Sequence, residues 1–294
     1  MTLPFSVSIV CLTIVQAATV ALPAAPRIPM LERFRSGWWA VVPLGSIVVV
    51  IFGIEAASQS ADALTYLALV AVPPLAAIAL AGAARGGRPA YAVAVLPLFA
   101  IAWANRHGLV GEACGIALSV LACVTLGVLL AQVAPLSWLK VGIVLMAIGD
   151  TVLVVSQQLQ APNNLLNIAA PGLGLPQLQR AQFGSAVVGF GDLFIAAVFG
   201  AVLAAEGRRL GGPARLTLLI GLGFNLLFFV TDLLPATVPV ALALIAVELT
   251  RTRSPADPSA RRDRAQWSPS RARASSTGRS PSSARPFRAP TRAP

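Results

Sequence analysis

Long apolar runs, interrupted by short stretches carrying Arg, Pro and Gly, fill the first 249 positions of this chain. A helix needs about 20 such residues to cross a bilayer. Cut at that length, the runs predict nine helices at roughly 3–22, 38–54, 63–83, 89–104, 109–132, 138–157, 183–205, 214–231 and 233–249. The fourth and ninth are short, and little more than Asp232 separates the last two, which leaves a count of eight open. The first run ends in LPAAP, whose small residues resemble a cleavage site, but no basic residue precedes the run, so it reads as a retained span. The expected fold is an all-α polytopic membrane protein. Its predicted parts are helices one to five over 1–137, helices six to nine over 138–249, and a tail over 250–294.

Composition agrees with the pattern. Of 294 residues 56% are hydrophobic and only 11% charged, and the mean hydropathy of +0.78 lies far from that of a soluble domain. The formal charge of +11 invites a nucleic-acid reading, but its distribution argues against one. From Thr250 onward 11 Arg face only Asp257 and Asp263, so the tail carries +9 and the remainder +2. The tail is almost entirely Arg, Ser, Pro, Ala and Thr, a composition that cannot bury enough apolar surface to fold. It is expected to be disordered. It could be drawn to anionic lipid at about 1 kcal/mol per basic residue; a solvated tail is the simpler reading in a chain with 21 Arg and one Lys.

The placement of cations also orients the spans. Arg27, Arg33, Arg35, Arg85, Arg88, Lys140, Arg208, Arg209 and Arg215 fall on one side of the nine-span topology, and Arg106 and Arg180 on the other. The expectation is an N-terminus outside and a cytoplasmic C-terminus, in a bacterial or archaeal cytoplasmic membrane. Cys11, Cys114 and Cys123 lie in or beside apolar runs without metal-ligand spacing, and His107 is the sole histidine, so neither a disulfide framework nor a metal site is supported.

Two acids break the apolar pattern. Asp150 lies in VGIVLMAIGDTVLVV and Asp192 in SAVVGFGDLFIAAVFGAVL, with no nearby Lys or Arg in either run. An ionised carboxylate in hydrocarbon costs at least about 2.5–3.5 kcal/mol, so such an acid points to function and to a partner. Each is the other's obvious partner. Counted from Trp138 and Phe183, at about 1.5 Å per residue, the two carboxyls reach a similar depth, about 12 and 14 Å from the outer face. Gly149, Gly189 and Gly191 beside them are small enough to let helices approach closely. Two carboxyls a few ångströms apart cannot both ionise; they share one proton and can together activate water. A serine or cysteine mechanism finds no support, since there is no GxSxG and the histidine sits at a loop edge.

GFGDLFIAAVFGAVLA resembles the seventh span of the GxGD intramembrane aspartyl proteases, the family of presenilin and signal peptide peptidase. In that family a first aspartate lies in the sixth span, and a Pro-Ala-Leu motif opens the ninth. Asp150 matches the former, 42 residues before Asp192, and Pro235-Ala236-Thr237 matches the latter, 43 residues after it. The resemblance covers roughly 138–249. It implies a presenilin-like bundle, Asp150 and Asp192 as catalytic pair, and Gly189, Phe190, Gly191, Pro235, Ala236 and Thr237 as motif and substrate-binding residues. Two positions depart from the pattern: Gly149 stands where a tyrosine usually precedes the first aspartate, and Thr237 replaces leucine.

Transmembrane segments or signal peptides are then the expected substrates, the bilayer the expected surroundings, and no cofactor, metal or nucleic acid is implied. The loop QAPNNLLNIAAPGLGLPQLQRAQ, by the same resemblance, is where a substrate could add an extended strand. A proton-coupled transporter or channel with paired midplane acids is the rival from another class, but no paired half-helices or basic substrate clamp is visible. A prepilin-peptidase-like enzyme also uses GxGD; no Lys follows Asp192 and no Cys-x-x-Cys pair is present.

Overall fold

A computed structural model describes residues 3–25, 59–156, 171–229, 231 and 234–253. The chain divides into two units, Met1–Glu248 and Leu249–Pro294. Of the second, 249–253 are described, as the end of a helix, so the first residues assigned to the tail are helical and the rest of it lies outside the described residues.

Among the described residues eight α-helices follow in order: α1 Phe5–Ala21, α2 Gln59–Ile78, α3 Val95–Ala104, α4 Leu109–Val133, α5 Leu136–Val155, α6 Phe190–Ala205, α7 Gly211–Asn225 and α8 Val238–Arg253. Four helical stretches among the described residues are long and apolar enough to cross a membrane: Ala63–Ala83, Leu109–Val133, Leu136–Val155 and Gly211–Phe229. Phe5–Ala21, Pro89–Ala104 and Phe190–Ala205 are apolar but shorter. The span expected at 38–54 lies outside the described residues.

The centre of the fold is α6, where Leu193 and every residue from Ile195 to Ala204 are buried. A helix apolar on all sides belongs inside a bundle, and α1, α4 and α5 all pack against it. The closest approaches are at glycines. A Cβ on Gly127 of α4 would stand 2.8 Å from the Ala197 carbonyl carbon, and one on Gly200 of α6 only 2.9 Å from that of Val20. Helix α5, by contrast, has a lipid-like stripe of exposed Trp138, Val141, Leu145, Ile148, Val152 and Val155. Its packed stripe is Leu139, Ile143, Met146 and Ala147. The alternating steps of three and four residues keep each stripe on one face.

A β-hairpin corrects the predicted start of the seventh span. Residues 183–189, expected to be helical, complete two antiparallel strands, β1 Arg180–Phe183 and β2 Ala186–Gly189, and the helix begins only at Phe190. The cause is local. Phe183 pairs with Ala186 across a two-residue Gly184-Ser185 turn in which Gly184 takes φ +58, and such turns match the twist of the flanking strands. Burial then alternates along β2 as in a strand with one packed face.

Polar contacts show which helix ends share a level. The Gly184 N–H donates to Glu112 Oε2 near the start of α4 (2.7 Å), and the Ser185 hydroxyl donates to the Leu3 carbonyl just before α1 (3.0 Å). At the opposite end, the Arg85 guanidinium donates to the Pro23 carbonyl beyond α1 (3.2 Å). Lys140 bridges Glu206 and Glu248 there, and Arg208 joins Glu248 at 3.1 Å. Helices α1, α4 and α6 therefore run one way and α5 the other.

Candidate active site

Asp150 continues the packed stripe of α5. It stands four residues after Met146 and seven after Ile143, on the face turned toward the neighbouring helices rather than on the lipid-like stripe. Asp192 lies in the first turn of α6, because that helix starts at Phe190. Its depth, counted from Phe183 on the sequence alone, therefore does not carry over: the residues from Phe183 to Gly189 are strand and turn, not helix.

The structure brings the pieces of the sequence pattern together. Helices α5 and α6 pack side by side, which brings the two acids near enough to interact electrostatically. The Thr237 hydroxyl donates to Asp150 Oδ2 at 2.7 Å, across 87 residues of sequence. The Gly189 N–H donates to Asp192 Oδ2 at 3.1 Å. Asp150 takes a second hydrogen bond from the Thr237 backbone N–H.

The glycines act otherwise than expected. Added Cβ atoms at Gly149 and Gly191 would meet nothing within 4 Å among the described residues, so neither glycine mediates a close contact with the described helices. What they do is leave open space beside each acid. Gly189 is tighter, with Asp192 Oδ2 3.1 Å from where its Cβ would be, so a side chain there would press on the carboxylate. Phe190 is partly buried against the apolar core, and its carbonyl accepts from the Cys123 thiol of α4 at 3.8 Å. Pro235 and Thr237 are buried and Ala236 is partly so.

Two contributors escaped the sequence reading. Gln16 of α1 donates from Nε2 to the Ala236 carbonyl at 2.8 Å, tying the N-terminal helix to the turn that carries Thr237. Its signal was an amide inside the apolar run LTIVQAATV. Arg180, one of the cations that orient the chain, stands opposite Gly189 in the hairpin register. Burial draws its guanidinium below its ordinary range, and at neutral pH an arginine still keeps its charge. Among the described residues, no three His, Cys, Asp or Glu side chains converge as a metal site would require.

No family model, curated protein or solved structure matches the chain.

Proposed function

We propose that this chain is an intramembrane aspartyl protease of the signal-peptide-peptidase and presenilin type, with Asp150 and Asp192 as the catalytic pair. One observation carries the reading: Asp150, Asp192 and Thr237, separated by 42 and 45 residues in sequence, meet at one place. A capping role accounts for Asp192 alone, since a carboxylate in the first turn of a helix is favourable there. It leaves Asp150, deep in α5, without an explanation. A facing acid supplies one.

Hydrolysis follows from two carboxyls sharing one proton. The ionised member accepts a proton from a water held between the two carboxyls while the water oxygen bonds to the scissile carbonyl carbon. The protonated member gives its proton to the carbonyl oxygen, leaving a neutral gem-diol. Proton transfer to the amide nitrogen then accompanies cleavage of the C–N bond, releasing an amine and a carboxylic acid and restoring the pair. Only water and the peptide bond are consumed, and the two acids are regenerated.

Transmembrane segments and leftover signal peptides are the proposed substrates, and the hairpin leading into Asp192 offers such a peptide an extended strand to pair with. The proposed setting is a nine-span presenilin-like bundle in a bacterial or archaeal cytoplasmic membrane, with the N-terminus outside and the C-terminus in the cytoplasm. To test the dyad, purified protein is incubated with transmembrane peptides and the fragments are read by mass spectrometry. Asp150→Asn and Asp192→Asn, which remove an acid without removing volume, should each lower cleavage by about 10³-fold. Substantial cleavage by either folded variant would refute the dyad.

A further inference from the structure

We propose that Gln16 is a positioning residue for Asp150, acting through the Pro235-Ala236-Thr237 turn; the inference rests on the reading of Asp150 as catalytic. Helix α1 buries a row of polar side chains that an apolar helix does not need: Ser8, Thr13, Gln16 and Thr19. The three hydroxyls are satisfied within their own helix, Ser8 on the Pro4 carbonyl at 3.2 Å, Thr13 on Ile9 and Thr19 on Val15 at 2.8 Å each. Such back-bonding is the ordinary way for Ser and Thr to sit in an apolar helix. Gln16 differs. Its side chain has the reach to leave the helix, and its amide ends on Ala236, 220 residues away.

The recipient needs outside support. Pro235 and Pro239 bracket the turn, and neither has an N–H to donate. The Val238 N–H reaches the Pro235 carbonyl at 3.3 Å and the Ala241 N–H the Thr237 carbonyl at 3.1 Å. The Ala236 carbonyl between them takes its bond from Gln16. One residue further on, the Thr237 hydroxyl holds Asp150. Gln16, Ala236, Thr237 and Asp150 therefore form a chain of contacts in which α1 fixes the turn and the turn fixes the carboxylate. A second tie between α1 and this region, from Asn225 Nδ2 of α7 to Thr13 Oγ1 at 2.8 Å, limits sliding of α1 along the bundle.

Gln16→Met keeps the length of the side chain and removes the donor. Hydrogen exchange read by mass spectrometry, which needs no proteolysis, should show faster exchange over residues 234–241 in this variant, with α4 and α6 as protected as in the parent. Unchanged exchange over 234–241 would overturn the proposal. In peptide cleavage, Gln16→Met should lower kcat by about tenfold with KM little changed, the scale of one lost hydrogen bond to a buried group. Thr237→Val should do the same, and the double variant should be no worse than the weaker single one, because both break one chain of contacts. Independent, multiplying losses, or a variant that melts earlier yet turns over normally below its transition, would reduce Gln16 to a packing residue. If the parent cleaves nothing, the protease reading fails, and the exchange measurement still decides whether Gln16 holds the turn.

Discussion

Hydrogen bonds from Thr237 and from the Gly189 N–H hold the two acids. The Thr237 hydroxyl contacts Asp150 and the Gly189 N–H contacts Asp192, both at Oδ2. Thr237→Val should lower kcat by about tenfold or more, since a hydrogen bond to a charged group is among the stronger ones. Thr237→Ser, which keeps the hydroxyl, should retain most of the turnover in the same peptide assay. Equal activity of the valine variant would show that the hydroxyl does not matter. Much of this level was legible in the sequence: acids in apolar runs announce themselves by their cost. The partners were not. Nothing local to QAATV or LPATV says that Gln16 and Ala236 meet, because that contact depends on how α1 and α8 are brought together.

Among the elements, the helices were the easier part, since a run of 20 apolar residues has few other ways to satisfy its backbone. Helix α4 was expected at 109–132 and spans Leu109–Val133; α5 was expected at 138–157 and spans Leu136–Val155. The hairpin was missed because FGSAVVGFGD is apolar enough to extend the following helix, and apolarity alone does not distinguish strand from helix over a few residues. The Gly184-Ser185 pair between AQF and AVV was the available signal. Glycine meaning was also hard to read, because the same residue marks both contact and space. Gly127→Ala should destabilise the protein by about 1–3 kcal/mol, as its Cβ would meet the Ala197 backbone where α4 crosses α6. Gly149→Ala, facing open space, should be nearly neutral or slightly stabilising. Detergent-solubilised thermal unfolding of the two variants checks the contrast, and equal losses would contradict it.

At the scale of the whole molecule, the shared ends of the helices fix, for the proposed protease, the expected direction of a substrate helix. Lys140, Glu206, Arg208 and Glu248 join one end of α5, α6 and α8, while the hairpin and the start of α1 meet at the other, on the side of Asp192. With the proposed cytoplasmic face at the ion cluster, α5 runs outward and α6 returns, so the site should favour a substrate helix whose N-terminus is cytoplasmic. Reporters presenting one transmembrane sequence in opposite orientations should be cleaved preferentially in that sense, and preference for the opposite one would overturn the assignment. Proteolysis itself is the central claim, and the rival is proton transport by the same two acids. The most direct measurement reconstitutes the full chain in vesicles with a transmembrane peptide, and follows peptide fragments and proton flux in the same sample. The protease account predicts fragments without flux from the parent, and neither from Asp150→Asn or Asp192→Asn. Proton flux with no fragments, or fragments that persist in either variant, would contradict it.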